Sequence, residues 1–341
     1  MTTGTPGPVT IAAANPLQHV REIKELFLAH ERPEFPEYFD RAYPPAVANG
    51  ATSWLGRDPG GRLVMHIACL PRRFRFGGRE VVAGLLANLM VTKPYRSFFP
   101  ALGLINRLVG DAKARALLDF LYADPNENSL ALLRGTRFVT VGTLQRYVLP
   151  VGDRRPAVDA AVRVLQRLVR LTTWGRPARV AAQSARQFRG ERFWVPPEPS
   201  PRLVPCHDHA LYVSHLKGYP GDGDWWVTGQ RDGTPNGPEA ALLVRGPDAS
   251  GRAALHAVRR SPGLPLTAMV AGLIAELRRR GCVRLQTATV AESALGRALR
   301  RCGFVPRPEA VPLVALPLTP LGEACVQAVK DWEITELDCD R

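Results

Sequence analysis

The sequence predicts a mixed α/β chain built from two similar halves, and three observations carry that expectation. Hydrophobic residues make up 45% and charged residues 22% of the 341 positions, a globular composition in a chain long enough for two ordinary domains. Apolar periodicity switches repeatedly between the two-residue spacing of strands and the 3.6-residue spacing of helices. The run Arg137-Phe138-Val139 through Tyr147-Val148-Leu149-Pro150-Val151 has a counterpart in Gly303-Phe304-Val305 through Val314-Ala315-Leu316-Pro317-Leu318, as two diverged copies of one fold would give.

In the first half, Val9 to Ile11 reads as a short strand. Leu17 to His30 reads as an amphipathic helix with Leu17, Val20, Ile23, Leu26 and Phe27 on one face. Thr52 to Gly56 and Leu63 to Leu70 are strands joined by the hairpin signal Asp58-Pro59-Gly60-Gly61. Phe74 to Phe76, Gly77-Gly78 and Val81 to Val91 extend the meander. Next come the basic turn Lys93-Pro94-Tyr95-Arg96, an apolar helix, a strand at Leu117 to Tyr122, the corner Pro125-Asn126-Glu127-Asn128-Ser129, a short helix and a strand from Phe138. A strand that runs through a basic turn into a helix start can hold a phosphate, because free N–H groups and the helix dipole both favour an anion.

Pro156 to Leu171 has helical periodicity, with Arg163, Arg167 and Arg170 on one face. Further arginines follow, with Trp174, Phe188, Phe193 and Trp194 among them, and Val195 to Pro199 reads as an extended linker. Such a surface suits stacking and phosphate neutralisation, and equally an Arg-rich solvated helix anchored by a few aromatics. In the second half, Ala240 to Val244 and Ala253 to Val258 form a hairpin around Gly246-Pro247-Asp248. Leu266 to Arg280 is a helix ending at Gly281, Val283 to Val290 a strand, Glu292 to Arg301 a helix, and Phe304 opens a last strand. The tail after Pro320 reads as one helix and a frayed end.

The net charge is +14, and only five of the 45 basic residues are Lys, a bias that a GC-rich genome also produces. A charge of this size still draws in anionic ligands, carrier proteins or RNA. The six cysteines are scattered without C-x-x-C spacing, which suggests buried thiols in a reducing compartment. No basic leader precedes an apolar run and no 18-residue stretch is apolar throughout, so a cytoplasmic location without membrane contact is expected. Cys206-His207-Asp208-His209 has no second Cys/His group at zinc spacing, and a helix start capped by Asp208 accounts for it; no metal is expected. Trp225-Trp226 and Tyr219 suit an apolar pocket or simple packing.

The order helix, antiparallel meander, helix, strand, helix, strand, with the Lys93–Arg96 turn and the Pro125–Ser129 corner, resembles the acyl-CoA-binding half of a GCN5-related N-acetyltransferase (GNAT). The resemblance covers about Val9 to Val151, and Leu203 to Leu318 by element order and closing motif. It implies a tandem protein: a donor-binding domain (1–151), a basic helical connector (152–202), a degenerate second domain (203–320) and a tail (321–341). The family's donor loop carries Arg or Gln, two residues, Gly, one residue, then Gly or Ala. Here it reads Arg96-Ser97-Phe98-Phe99-Pro100-Ala101. Arg96 and Ala101 fit, whereas Phe99 fills the first glycine position and should reshape or block the phosphate grip.

By the same resemblance, the backbone of Leu89, Met90 and Val91 would bind a pantetheine arm, with Asn126 and Asn128 beside it. Asn126 also suits a helix cap. The Tyr that such enzymes often use as general acid is replaced by Leu133, and by Leu299 in the second copy. An acid or base must then come from Tyr122, Asp124, Asp119 or His66, the first two being favoured. The implied reaction is N-acyl transfer from acyl-CoA or acetyl-CoA to the amine of a small-molecule acceptor. Two alternatives stand beside it: a donor carried on aminoacyl-tRNA or an acidic acyl carrier protein, and a catalytically silent binding protein.

Overall fold

The computed structural model describes residues 7–96, 98–153, 156–169, 178–184, 202–206, 224–230, 240–260 and 265–339. The first half runs β1 (Thr10–Ala14), α1 (Val20–Leu28), α2 (Phe35–Ala48), β2 (Thr52–Arg57), β3 (Leu63–Phe76), β4 (Arg79–Val91), α3 (Phe98–Arg115), β5 (Phe120–Ala123), α4 (Glu127–Gly135) and β6 (Val139–Pro150). The second runs α5 (Pro156–Val169), β7 (Arg179–Ser184), β8 (Val204–Pro205), β9 (Asp224–Gln230), β10 (Ala240–Arg245), β11 (Arg252–Arg260), α6 (Leu266–Arg279), β12 (Arg284–Val290), α7 (Ala294–Arg301), β13 (Val305–Pro317) and α8 (Pro320–Gln327).

All described strands join one mixed sheet in the order β1-β2-β3-β4-β5-β13-β6-β12-β11-β10-β9-β7, with β8 on β3. The two halves exchange their closing strands. β13 inserts beside β5 with Val314 opposite Ala123, while β6 inserts beside β12 with Leu149 opposite Leu285. β6 and β13 also pair with each other. The repeated closing motifs are therefore the two strands at the centre of the sheet, each completing the other half.

One helix, α2, has no counterpart in the sequence expectation, and it carries three prolines. Pro36 lies in the first turn, where the missing N–H would have no helical partner anyway. Pro44 and Pro45 lie in the last turn and do remove helical hydrogen bonds. An aromatic stripe offsets the loss: Phe35, Phe39 and Tyr43 recur at four-residue spacing and are buried. The Phe27 and Phe35 rings stack at 3.5 Å, and those of Phe39 and Tyr43 at 4.1 Å.

The tail is ordered rather than frayed. After α8, Trp332, Ile334 and Cys339 join the core of the first half. Trp332 is 1% exposed and donates its indole N–H to the Cys325 carbonyl at 2.8 Å. Among the described residues no helix is long and apolar enough to cross a membrane.

Candidate functional site

β4 and β5 pair in parallel only where Ala83 to Leu85 face Phe120 to Tyr122. Beyond that point the strands diverge, and β4 carries a bulge: His66 faces Met90 and Ala68 faces Ala87, so Asn88 and Leu89 oppose Ile67 alone. Asn88 sits at φ +57°, a left-handed conformation that Asn tolerates better than most side chains. Its carbonyl accepts from His66 Nδ1 at 2.9 Å, which leaves His66 Nε2 to accept from the Ser53 hydroxyl at 3.0 Å. His66 is completely buried, and burial lowers its pKa to about 4, so the ring is neutral at pH 7. The Asn88 amide donates to the hydroxyls of Tyr38 at 3.3 Å and Tyr43 at 3.2 Å. A neutral histidine and two tyrosines thus fix the bulge.

The divergence opens a cleft of about 540 Å³. One wall is Leu85 to Leu89 of β4; the other is Ala123 to Asn126, with Ser129 and Leu133 of α4. Tyr38 and Arg41 of α2 close it from above, and the Arg41 guanidinium lies 5.6 Å from the centre of the Tyr38 ring. Glu34 and Glu37 supply carboxylates at the mouth. A second depression of about 600 Å³ lies alongside, between α1 and the turn that carries Thr92, Lys93 and Arg96. Arg96 donates from Nε to the Val91 carbonyl at 2.9 Å and is otherwise exposed. The adjoining helix, α3, starts two residues after Arg96.

The structure sorts the residues singled out in the sequence. Asp124, Asn126 and Leu89 line the cleft. Asn126 also caps α4, accepting the Ser129 N–H at 2.9 Å, while Asn128 is exposed and outside the cleft lining. The Met90, Val91 and Ala101 side chains are buried, which leaves Met90 and Val91 only a backbone role. Phe99 is 79% exposed and lines neither depression. Pro100, half-buried, lies in the first turn of α3.

Tyr122 is a correction. It is fully buried among Phe74, Phe120 and Trp332, and it donates to the Asp338 carbonyl at 2.6 Å. Burial pushes its pKa well above the ordinary value, so it has neither the access nor the acidity for proton transfer. Asp119 is structural as well, accepting from the Val82 N–H and the Thr319 hydroxyl. Arg167 is exposed on α5. Ser97, Arg170, Trp174, Phe188, Phe193, Trp194, His207, Asp208, His209 and Tyr219 lie outside the described residues, as do the side chains of Phe98, Arg163, Trp225 and Trp226.

Tyr38, Arg41 and Asn88 were not legible as site residues. The one available signal was Asn88, a strand-breaking residue inside the apolar run Leu85 to Val91. Among the described residues no group of three His, Cys, Asp or Glu could hold a metal ion.

The second half repeats the divergence but fills it. β11 and β12 pair only from Arg252 to Ala254 with Arg284 to Gln286. Just beyond, the Thr335 hydroxyl donates to the His256 carbonyl of β11 at 2.6 Å, and the Thr289 hydroxyl of β12 donates to the Ile334 carbonyl at 2.7 Å. The chain's own tail therefore spans this opening. It then reaches the first half, where Cys339 lines the open cleft.

No family model matches the sequence, and no curated protein matches it. Solved structures do. A protein of Enterococcus faecalis V583 described as a "Probable N-Acyltransferase" aligns over 92% of this chain and 74% of its own, with TM-score 0.64 and 10% identity. A GCN5-related N-acetyltransferase from Kribbella flavida aligns over 92% and 73%, with TM-score 0.63 and 11% identity. A tandem GNAT protein from the clavulanic acid biosynthesis pathway aligns over 92% and 99%, with TM-score 0.52 and 15% identity. The chain has the GNAT fold, in the tandem arrangement that its repeated closing strands imply.

Proposed function

We propose that the first-half cleft transfers an acyl group from a thioester, acyl-CoA in the first instance, to the amine of a small molecule. The carrying observation is the parting of β4 from β5 beyond Leu85, beside the Asn88 bulge and a few residues of chain before Lys93, Arg96 and the start of α3. The diverged edge of β4 suits an extended pantetheine arm. The basic turn and helix start suit its phosphates, and Phe99 lines neither depression. The amine nitrogen forms its bond to the thioester carbon as the carbon–sulfur bond breaks. Before attack the ammonium loses one proton through Asp124 or solvent; the departing thiolate takes a proton from the Tyr38 hydroxyl, and the second proton, shed by the acylated nitrogen, returns to the Tyr38 phenolate. Positioning supplies much of the rate in such a reaction.

Isothermal titration with acetyl-CoA tests the donor site. Wild type should bind saturably, and Lys93→Ala/Arg96→Ala should weaken binding at least tenfold; no saturable binding would sink the reading. Binding without thiol release across a panel of amines would leave the silent scaffold. A second donor is favoured by the net charge of +14, which suits a phosphopantetheine arm on an acidic carrier protein or the acceptor end of a tRNA. Either partner would bind with a steep salt dependence in the same titration.

A further inference from the structure

A separate cavity of about 260 Å³ lies beneath the last turn of α3, at the other end of that helix from the basic turn. Eighteen residues at 1.5 Å rise put the two ends about 27 Å apart. Its lining is mostly apolar, with Trp54, Val82, Ala112 and Leu118 beside Cys69. Asn49 and Thr52 add uncharged polar groups at one side, and neither Trp54 nor Cys69 offers an ionic contact. Trp54 donates its indole N–H to Asp111 at 2.8 Å, and burial pushes the Cys69 thiol up to about 12. An apolar cavity of about 150 Å³ suffices to hold benzene, so this one is large enough for a short hydrocarbon.

The rim has the opposite character. Leu117, 69% exposed, extends the apolar wall to the surface. Arg115 stands beside it, exposed and without an ion-pair partner among the described residues. Arg73, on the same rim, meets only Glu80 at 3.5 Å, with both side chains about 60% exposed, a contact of little strength. An apolar pouch with guanidinium groups at its mouth is complementary to a molecule with a hydrocarbon tail and an anionic head. A cation would meet the arginines unfavourably, and a small hydrophilic anion would leave the apolar wall without contact.

We propose that this cavity binds a medium-chain monocarboxylate, with its tail between Trp54, Val82 and Leu118 and its carboxylate on Arg115 and Arg73. Calorimetric titration of the full chain with octanoate, octanol and octylammonium tests it. Octanoate should bind saturably and at least tenfold more tightly than octylammonium. Arg115→Gln and Leu117→Glu both lie at exposed positions and should leave the melting curve unchanged. Each should weaken octanoate several-fold, while Arg115→Gln leaves octanol unaffected. Saturating acetyl-CoA should not displace octanoate. Absence of saturable octanoate binding, equal binding of the cationic analogue, or unchanged octanoate affinity in both variants would each overturn the assignment.

Discussion

Asn88 shows how one side chain sets the chemistry of this cleft. Its left-handed backbone makes the bulge, its carbonyl holds a neutral histidine, and its amide aligns the Tyr38 hydroxyl. If Tyr38 supplies the proton to the leaving thiolate, Tyr38→Phe should lower kcat about 100-fold while acetyl-CoA affinity stays within twofold. Tyr122→Phe should do the reverse. It removes a buried bond to the Asp338 carbonyl, costing roughly 1 kcal/mol of stability, and leaves kcat near wild type. Kinetics beside urea unfolding separates the two tyrosines. The buried histidines predict the pH dependence of stability. Burial holds His66 near 4, and burial together with Arg245 and Arg41 holds His256 near 3, against about 6.5 in an unfolded chain. Below pH 6.5 the unfolded chain binds protons that the folded chain refuses, so the stability present above that pH is lost as the solution is acidified toward 4. At about 1.4 kcal/mol per pH unit, each site removes roughly 2 kcal/mol by pH 4.5. Urea midpoints measured at pH 7.5 and 4.5 should fall accordingly, and His66→Gln should flatten the slope by about half.

At the scale of elements, the helix ends and their docking decide which parts of the sequence could be read. Asn126 was legible because an N-cap is local: its side chain accepts the Ser129 N–H three residues on, whatever the rest of the chain does. Asn126→Ala should therefore cost about 1 kcal/mol in urea unfolding even without donor, and any further loss of acetyl-CoA affinity measures its part in binding. The strand at Val81 to Val91 and the apolar helix after the Lys93–Arg96 turn were legible for the same reason, from apolar spacing alone. α2 was not. Its three prolines argue against a helix locally, and only the stacking of Phe35 on Phe27 and of Tyr43 on Phe39 supports it. With α2 went Tyr38 and Arg41. Tyr122 misled for the complementary reason: a tyrosine on a strand beside the cleft reads as available until the tail is seen to bury it. α8 shows how closely such late elements dock. Thr319 caps it through the Gly322 N–H, and a Cβ at Gly322 would overlap the Asp119 carbonyl oxygen. Because the obstacle is backbone, Gly322→Ala should destabilise by about 2–3 kcal/mol, a drop that thermal unfolding would register.

Over the whole molecule, the exchange of β6 and β13 makes two copies of one fold into one sheet. Strand pairing between residues nearly 200 positions apart leaves no local mark, so the sequence could reveal the repeat but not which half each closing strand completes. The arrangement also explains the asymmetry between the clefts. A tail that leaves β13 and α8 passes Leu203, bonding with it in both directions. It then crosses the opening between β11 and β12 and ends its described path at the rim of the open cleft. One half thus gives up its opening to anchor the segment that borders the other. It follows that neither half should fold alone. Residues 1–151 without β13 leave β5 a bare edge, strip Leu313, Ala315, Trp332 and Ile334 from the first core, and leave β6 with neither neighbour. Losing the three large buried side chains Leu313, Trp332 and Ile334, at about 1.5–3 kcal/mol each, together with the strand pairing, approaches the whole stability of a domain. A polypeptide of residues 1–151 should therefore show no cooperative melt and broad amide proton resonances. Mixing it with residues 152–341 should restore a single cooperative transition and, with it, acetyl-CoA binding. A cooperative melt from residues 1–151 alone would mean that β6 can fold back beside β5 in the place of β13, and that the exchange is dispensable rather than structural.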